Sequence, residues 1–180
     1  MIFEAAPLAG VFVVAAERHG DERGFFATTF EETEYASRGL DTRVAQCAVS
    51  FNARRGTLRG LHYQDAPFGQ PKVVRCTRGA IYDVVLDVRP ESATYGRWAC
   101  FELDAGGLRS LYVPAGLAHG FETLVEDTEV LYQLATPRRA SHERGIRWDD
   151  PSLGITWPLP PAVLSLRDRE WPLFSALRQG

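Results

Sequence analysis

From residue 10 onward the chain is a succession of short apolar runs divided by glycine, proline and charged residues: GVFVVAAE, GFFATTF, TRVAQCAVSF, TLRGLHYQ, KVVRCTRG, AIYDVVLDVRP, GRWACFELD, RSLYVPAG, AHGFETLV and TEVLYQLA. Runs of this length, rich in Val, Ile, Leu, Tyr and Phe and bounded by turn formers, predict strands. Many of them in series predict an all-β sandwich or barrel. AIYDVVLDV is apolar apart from Asp83 and Asp87, as expected of a strand packed within a sandwich. Helical patterning is confined to EETEYASRG, which ends at a glycine, and to the tail REWPLFSALR. Strand and helix do not alternate with the regularity of a dinucleotide-binding fold. The expected architecture is a single domain over residues 1–180, an all-β jelly-roll sandwich with a few short helices. Polar side chains from its inner faces should meet in a pocket at the mouth.

Composition narrows the function. With 180 residues, 45% of them hydrophobic, the chain is long enough to bury one core. A net charge of -3 argues against nucleic-acid binding by blanket phosphate neutralisation. The apolar opening MIFEAAPLAGVFVVAAE has no preceding positive charge and contains Glu4, which fits a signal peptide poorly, and no run approaches the ~20 apolar residues of a membrane span. A soluble, cytoplasmic protein is expected. Cys47, Cys76 and Cys100 are too few and too scattered for a disulfide framework or a structural zinc site. Of the 20 basic side chains 19 are arginine, and Lys72 alone is lysine. So strong a bias would have replaced a lysine that served only as surface charge. An ammonium can be desolvated and exchange a proton, whereas a guanidinium cannot.

Two of the four histidines, His19 and His142, lie in polar loop sequence and are expected to be solvated. His62 and His119 sit instead among apolar and glycine residues, His62 in RGLHYQ beside Arg59 and His119 in the turn PAGLAHGF. Inward histidines in a jelly roll raise a metal site. Metal-dependent cupins usually supply two histidines one residue apart, a glutamate, and a third histidine from a Pro-x-Gly-x-x-His turn. Pro114, Gly116 and His119 supply the last element, but the first reads His62, Tyr63, Gln64. Two imidazoles without a third ligand make a poor first shell, so no metal is expected and His62 is free to act as a base.

DERGFF (21–26), RGLHYQ (59–64), PKVVRCTRGAIYDVVLDVR (71–89), PAGLAHGF (114–121), the pair Leu131 and Tyr132, and ERGIRWDDPSLGITWP (143–158) occur in this order. Together they resemble the dTDP-4-dehydrorhamnose 3,5-epimerase family, across nearly the whole chain. The resemblance implies a dimeric, metal-free and cofactor-free cupin jelly roll that epimerises a nucleotide-diphosphate 4-keto-6-deoxy sugar at C3, C5 or both, in deoxysugar (rhamnose-type) biosynthesis. It assigns His62 as the base and Asp168 as the carboxylate that orients it. Tyr132 becomes the acid on the opposite face and Lys72 the stabiliser of the developing oxyanion. Arg59 falls at the pyrophosphate. Gln46, His119, Arg138 and Glu143 fall on the substrate side, and Arg23 and Phe26 are contributed across the dimer.

The chain departs from the family pattern at the nucleotide end. Ala27 and Thr28 follow DERGFF where an aromatic and a glutamate are common, and Ala48 replaces the usual amide two residues after Gln46. Arg138 stands where many members carry a base-stacking tyrosine. Thymidine, cytidine and guanosine diphosphate sugars all remain candidates. A metal-dependent cupin oxygenase or isomerase and a non-catalytic sugar-nucleotide binding module are the competing readings.

Overall fold

The computed structural model describes residues 1–177. Thirteen strands and three short helices follow one another along the chain: β1 (Ile2–Ala5), β2 (Phe12–Ala15), β3 (His19–Asp21), β4 (Gly24–Phe26), α1 (Glu32–Ala36), β5 (Gln46–Asn52), β6 (Leu58–Gln64), β7 (Lys72–Arg78), β8 (Ala80–Asp87), β9 (Trp98–Asp104), β10 (Arg109–Val113), β11 (Leu117–Thr123), β12 (Thr128–Leu134), β13 (Glu143–Gly145), α2 (Leu166–Glu170) and α3 (Phe174–Leu177). The ten apolar runs each hold a strand. The three further strands β1, β3 and β13 are short and mostly polar or exposed, so period-2 patterning does not reveal them.

The strands form two sheets, β1-β2-β10-β7-β12-β5 and β13-β6-β11-β8-β9, with β3 and β4 as a separate hairpin. Val74, Cys76, Leu111 and Val130 of the first sheet meet Ile81, Val85, Leu103 and Phe121 of the second in the central core. Ile81 and Val85 of β8 belong to this core, whereas Val84 and Leu86 pack on Ile146, Phe174 and Trp157 of the C-terminal segment. Both faces of β8 are thus covered, which explains its near-continuous apolar sequence. The outer face of the first sheet is covered in turn by Tyr35 of α1 against Val14, Val73 and Tyr112.

The expected helix in EETEYASRG forms as α1, with Glu31 accepting the Thr33 amide at its start. The expected tail helix is split. Trp171, with ψ 145, and Pro172 separate α2 from α3, because proline has no amide for the helical ladder. Arg178, the last residue of that expected stretch, lies outside the described residues. No described helix is long and apolar enough to cross a membrane.

One irregularity positions the site. Residues three apart on a regular strand point to opposite faces. On β6, however, His62 is opposite His119 while Arg59 is opposite Phe121, so three steps on β6 match two on β11. This is a β-bulge, and it turns Arg59 and His62 to the same side. The approach requires glycine on both strands: a Cβ on Gly60 would lie 2.6 Å from Gly120 Cα, and one on Gly120 would lie 2.6 Å from the Arg59 carbonyl oxygen.

Candidate active site

A cavity of about 630 Å³ lies between β5, β7 and β12 of one sheet and β6, β11 and β13 of the other. Alternate residues of β5, Gln46, Ala48 and Ser50, line one flank of it. The bulged strand brings Arg59 and His62 to the second wall. Lys72 and Tyr132 enter from the first sheet, and the α2 segment closes one side with Ser165, Arg167 and Asp168.

His62 Nε2 meets Asp168 Oδ1 at 2.5 Å. Burial alone would raise the Asp168 carboxyl, but its hydrogen bond and charge interaction with His62, joined by Ser165 and Trp171, carry it below its ordinary range. An ionised Asp168 accepts the proton of Nε2 and so leaves Nδ1 as the basic ring nitrogen. Asp168 is itself seated by its own backbone amide, which donates to Ser165 Oγ at the start of α2.

Tyr132 lies on the opposite sheet from His62. Burial pushes its phenol above the usual range, with the nearby Asp83 charge adding to the rise and Arg59 opposing it. Lys72 is only 8% exposed, and burial lowers its ammonium to about 8 against the pull of Asp83 and Glu143. His119 lines the cavity and links Asp83 to it: Nε2 and Oδ2 stand 2.8 Å apart, both side chains are buried, and the His119 ring meets Tyr132 edge to face at 6.0 Å. Asp83 therefore belongs to the site although only its interruption of an apolar run marks it in the sequence. Oδ1 of Asp83 is buried without a partner among the described residues.

Arg59 Nε donates to Asn52 Oδ1 at 2.7 Å, and Asn52 in turn donates to the Ser50 and Thr128 carbonyls. One nitrogen is thereby spent on orientation, and the terminal fork suits an anion. At the rim, Glu143 accepts from Arg138 at 2.6 Å and from Arg167 at 3.0 Å, and Gln46 Oε1 accepts the Arg138 amide. Burial would raise the Glu143 carboxyl, but these two arginines bring it below its usual range.

Two expected participants are elsewhere in the single chain. Arg23 and Phe26 lie on the β3–β4 hairpin, Arg23 paired with its neighbour Asp21 and Phe26 71% exposed, and neither lines the cavity. His142, expected to be solvated, is partly exposed but paired. Its Nδ1 stands 2.7 Å from Asp65 Oδ1, and its ring packs on Phe68 at 4.5 Å. Asn52 and Trp171 escaped the sequence reading because their contacts depend on distant segments docking. Among the described residues no group of three or more His, Cys, Asp or Glu is arranged to hold a metal.

A family model described as dTDP-4-dehydrorhamnose 3,5-epimerase matches residues 5–176. A dTDP-4-dehydrorhamnose 3,5-epimerase of Sinorhizobium fredii is 44% identical over 96% of this chain and 89% of its own length. A dTDP-4-dehydrorhamnose 3-epimerase of Streptomyces niveus is 36% identical over 96% of this chain and 84% of its own. Among solved structures, a dTDP-6-deoxy-D-glucose-3,5-epimerase of Legionella pneumophila, crystallised with dTDP-4-keto-L-rhamnose, superposes with a TM-score of 0.90 at 32% identity. It covers 97% of this chain and 93% of that one.

Proposed function

The chain belongs to the dTDP-4-dehydrorhamnose 3,5-epimerase family of sugar-nucleotide isomerases, and from that premise we propose how its own cavity inverts a nucleotide-diphosphate 4-keto-6-deoxy sugar. The observation that carries the reading is the placement of His62 and Tyr132 on opposing sheets around one cavity. Inversion next to a ketone requires a proton to leave one face of the ring and another to arrive on the other. A base and an acid on facing walls serve that need, and a binding module has no use for it.

His62, held in the Nε2–H tautomer by Asp168, removes the hydrogen on carbon next to the C4 ketone through Nδ1. The electrons move onto the ketone oxygen as an enolate, which the Lys72 ammonium steadies in a desolvated setting where its charge acts strongly. Tyr132 then gives its proton to the opposite face of the carbon. Because burial disfavours the phenolate, Tyr132 begins as a neutral donor at physiological pH. Arg59 holds the diphosphate, and the His119–Asp83 pair fixes the polar wall beside Tyr132. Gln46, Arg138 and Glu143 form the rim that receives the nucleoside.

The working form is a homodimer of single-domain, cytoplasmic subunits. Support comes from the outer face of edge strand β5, where Val49 and Phe51 are exposed beside Cys47, and from Phe25 and Phe26 exposed on the hairpin. A partner subunit's hairpin would bring Arg23 and Phe26 to the cavity.

Proton NMR in heavy water tests the reaction, with 4-keto-6-deoxyglucose carried on thymidine, cytidine and guanosine diphosphate in turn. Deuterium entering at C3, at C5 or at both is expected with at least one of them, and names the centres and the nucleotide. No exchange with any of the three by folded protein would overturn the reading.

A further inference from the structure

We propose that Trp171 is a positioning residue for the His62–Asp168 pair, seated on the bare backbone of Gly145 and joined through Arg167 and Glu143 to the rim of the cavity. Three independent contacts converge on its indole. Nε1 donates to Asp168 Oδ1 at 3.3 Å, the same oxygen that meets His62 Nε2. The ring stands edge-on to the His62 imidazole at 6.1 Å. The Arg167 guanidinium lies over the indole ring, 4.7 Å from its centroid, while its Nη1 reaches Glu143.

The seat is as specific as the contacts. Gly145 is the residue of β13 directly opposite His62 on β6. A Cβ built on Gly145 would fall inside the indole, against Cδ2, Cε2 and Nε1. The backbone around Trp171 is pinned too, since the Arg147 amide donates to the Pro172 carbonyl. An indole pressed this closely against the strand beside the base has little freedom, and its N–H restricts rotation of the Asp168 carboxylate. A carboxylate that turns freely would let the imidazole wander from the geometry that proton abstraction needs.

The proposal rests on His62 being the catalytic base, and its test separates the two. Trp171→Phe keeps the ring on Gly145 and beneath Arg167 but removes the donor. Its kcat for deuterium exchange should fall about ten-fold, the worth of one hydrogen bond to a charged group, with KM within two-fold of the parent. In an Asp168→Asn background the same substitution should cost little further, because the two residues act as a unit. Without any substrate, the low-field proton resonance of the His62–Asp168 hydrogen bond should shift in Trp171→Phe. Gly145→Ala, which displaces the indole, should reproduce both effects. An unmoved resonance with unchanged kcat overturns the proposal. So does an equal ten-fold loss in the Asp168→Asn background, which would mark Trp171 as structural only. If the parent protein exchanges no deuterium, the epimerase reading fails while the resonance still judges Trp171.

Discussion

Lys72 and Tyr132 feel the same burial with opposite consequences, since desolvation disfavours the charged form of each. For the lysine this lowers the ammonium to about 8. If the ammonium steadies the enolate, kcat/KM should decline as pH rises through about 8, because the charged fraction disappears there. Lys72→Met should remove that basic limb and lower kcat roughly a hundred-fold, which a pH series of exchange rates will show. Stability should run the other way. The unfolded lysine keeps its proton to about 10.5, so the unfolded state binds more protons between about 8 and 10.5, and stability contributed by this site rises with pH across that window. Thermal midpoints of parent and Lys72→Met will reveal this difference in slope. If His62 is the base, His62→Ala should abolish exchange while leaving sugar-nucleotide affinity within a few-fold by calorimetry. Lys72 was legible from the arginine bias around it, and His62 and Arg59 from their intrusion into a strand. Asp83 was visible only as an interruption, because its partner His119 lies 36 residues away and pairing of that kind emerges from strand register.

The bulge between β6 and β11 decides which face of its strand each residue serves. Without it Arg59 and His62 would point to opposite sides of the sheet. Gly120→Ala would set a methyl against the Arg59 carbonyl and the Leu61 side chain. It should cost about 2 kcal/mol in denaturant unfolding, within the usual range for overpacking, and lower kcat/KM more than that stability loss implies, because the strain falls on the segment carrying both residues. Equal activity in a stably folded Gly120→Ala would show that the glycines are not needed to align them. Strand existence was readable in the ten apolar runs because most are buried on at least one face. β13 was not, since Glu143, Arg144 and Gly145 carry no apolar alternation, and the bulge was not, since a two-against-three register depends on both strands at once.

At the scale of the molecule, the distance between the exposed hairpin and the cavity makes assembly the central question. Sedimentation should report twice the 20.0 kDa of one chain. Mixed dimers supply a sharper measurement. Combining a His62→Ala subunit with an Arg23→Ala/Phe26→Ala subunit regenerates one complete site in each heterodimer, and random exchange should return about a quarter of parental activity. Full activity of the Arg23→Ala/Phe26→Ala protein by itself would remove the hairpin from the substrate's surroundings, and no recovery after verified subunit exchange would assign the hairpin to its own subunit's cavity. The fold class was legible from pattern alone, but which surfaces of two copies meet is not written in the periodicity of either. The solitary lysine has one more consequence, a chemical one. Apart from the α-amine of Met1, which is tied to Glu17, the sequence offers amine-directed reagents a single target, the ε-amine of Lys72 on the cavity wall. Acylation or reductive alkylation becomes a titration of the site itself, with one modified ε-amine per subunit, protection by bound nucleotide sugar, and a count of competent sites available from mass alone.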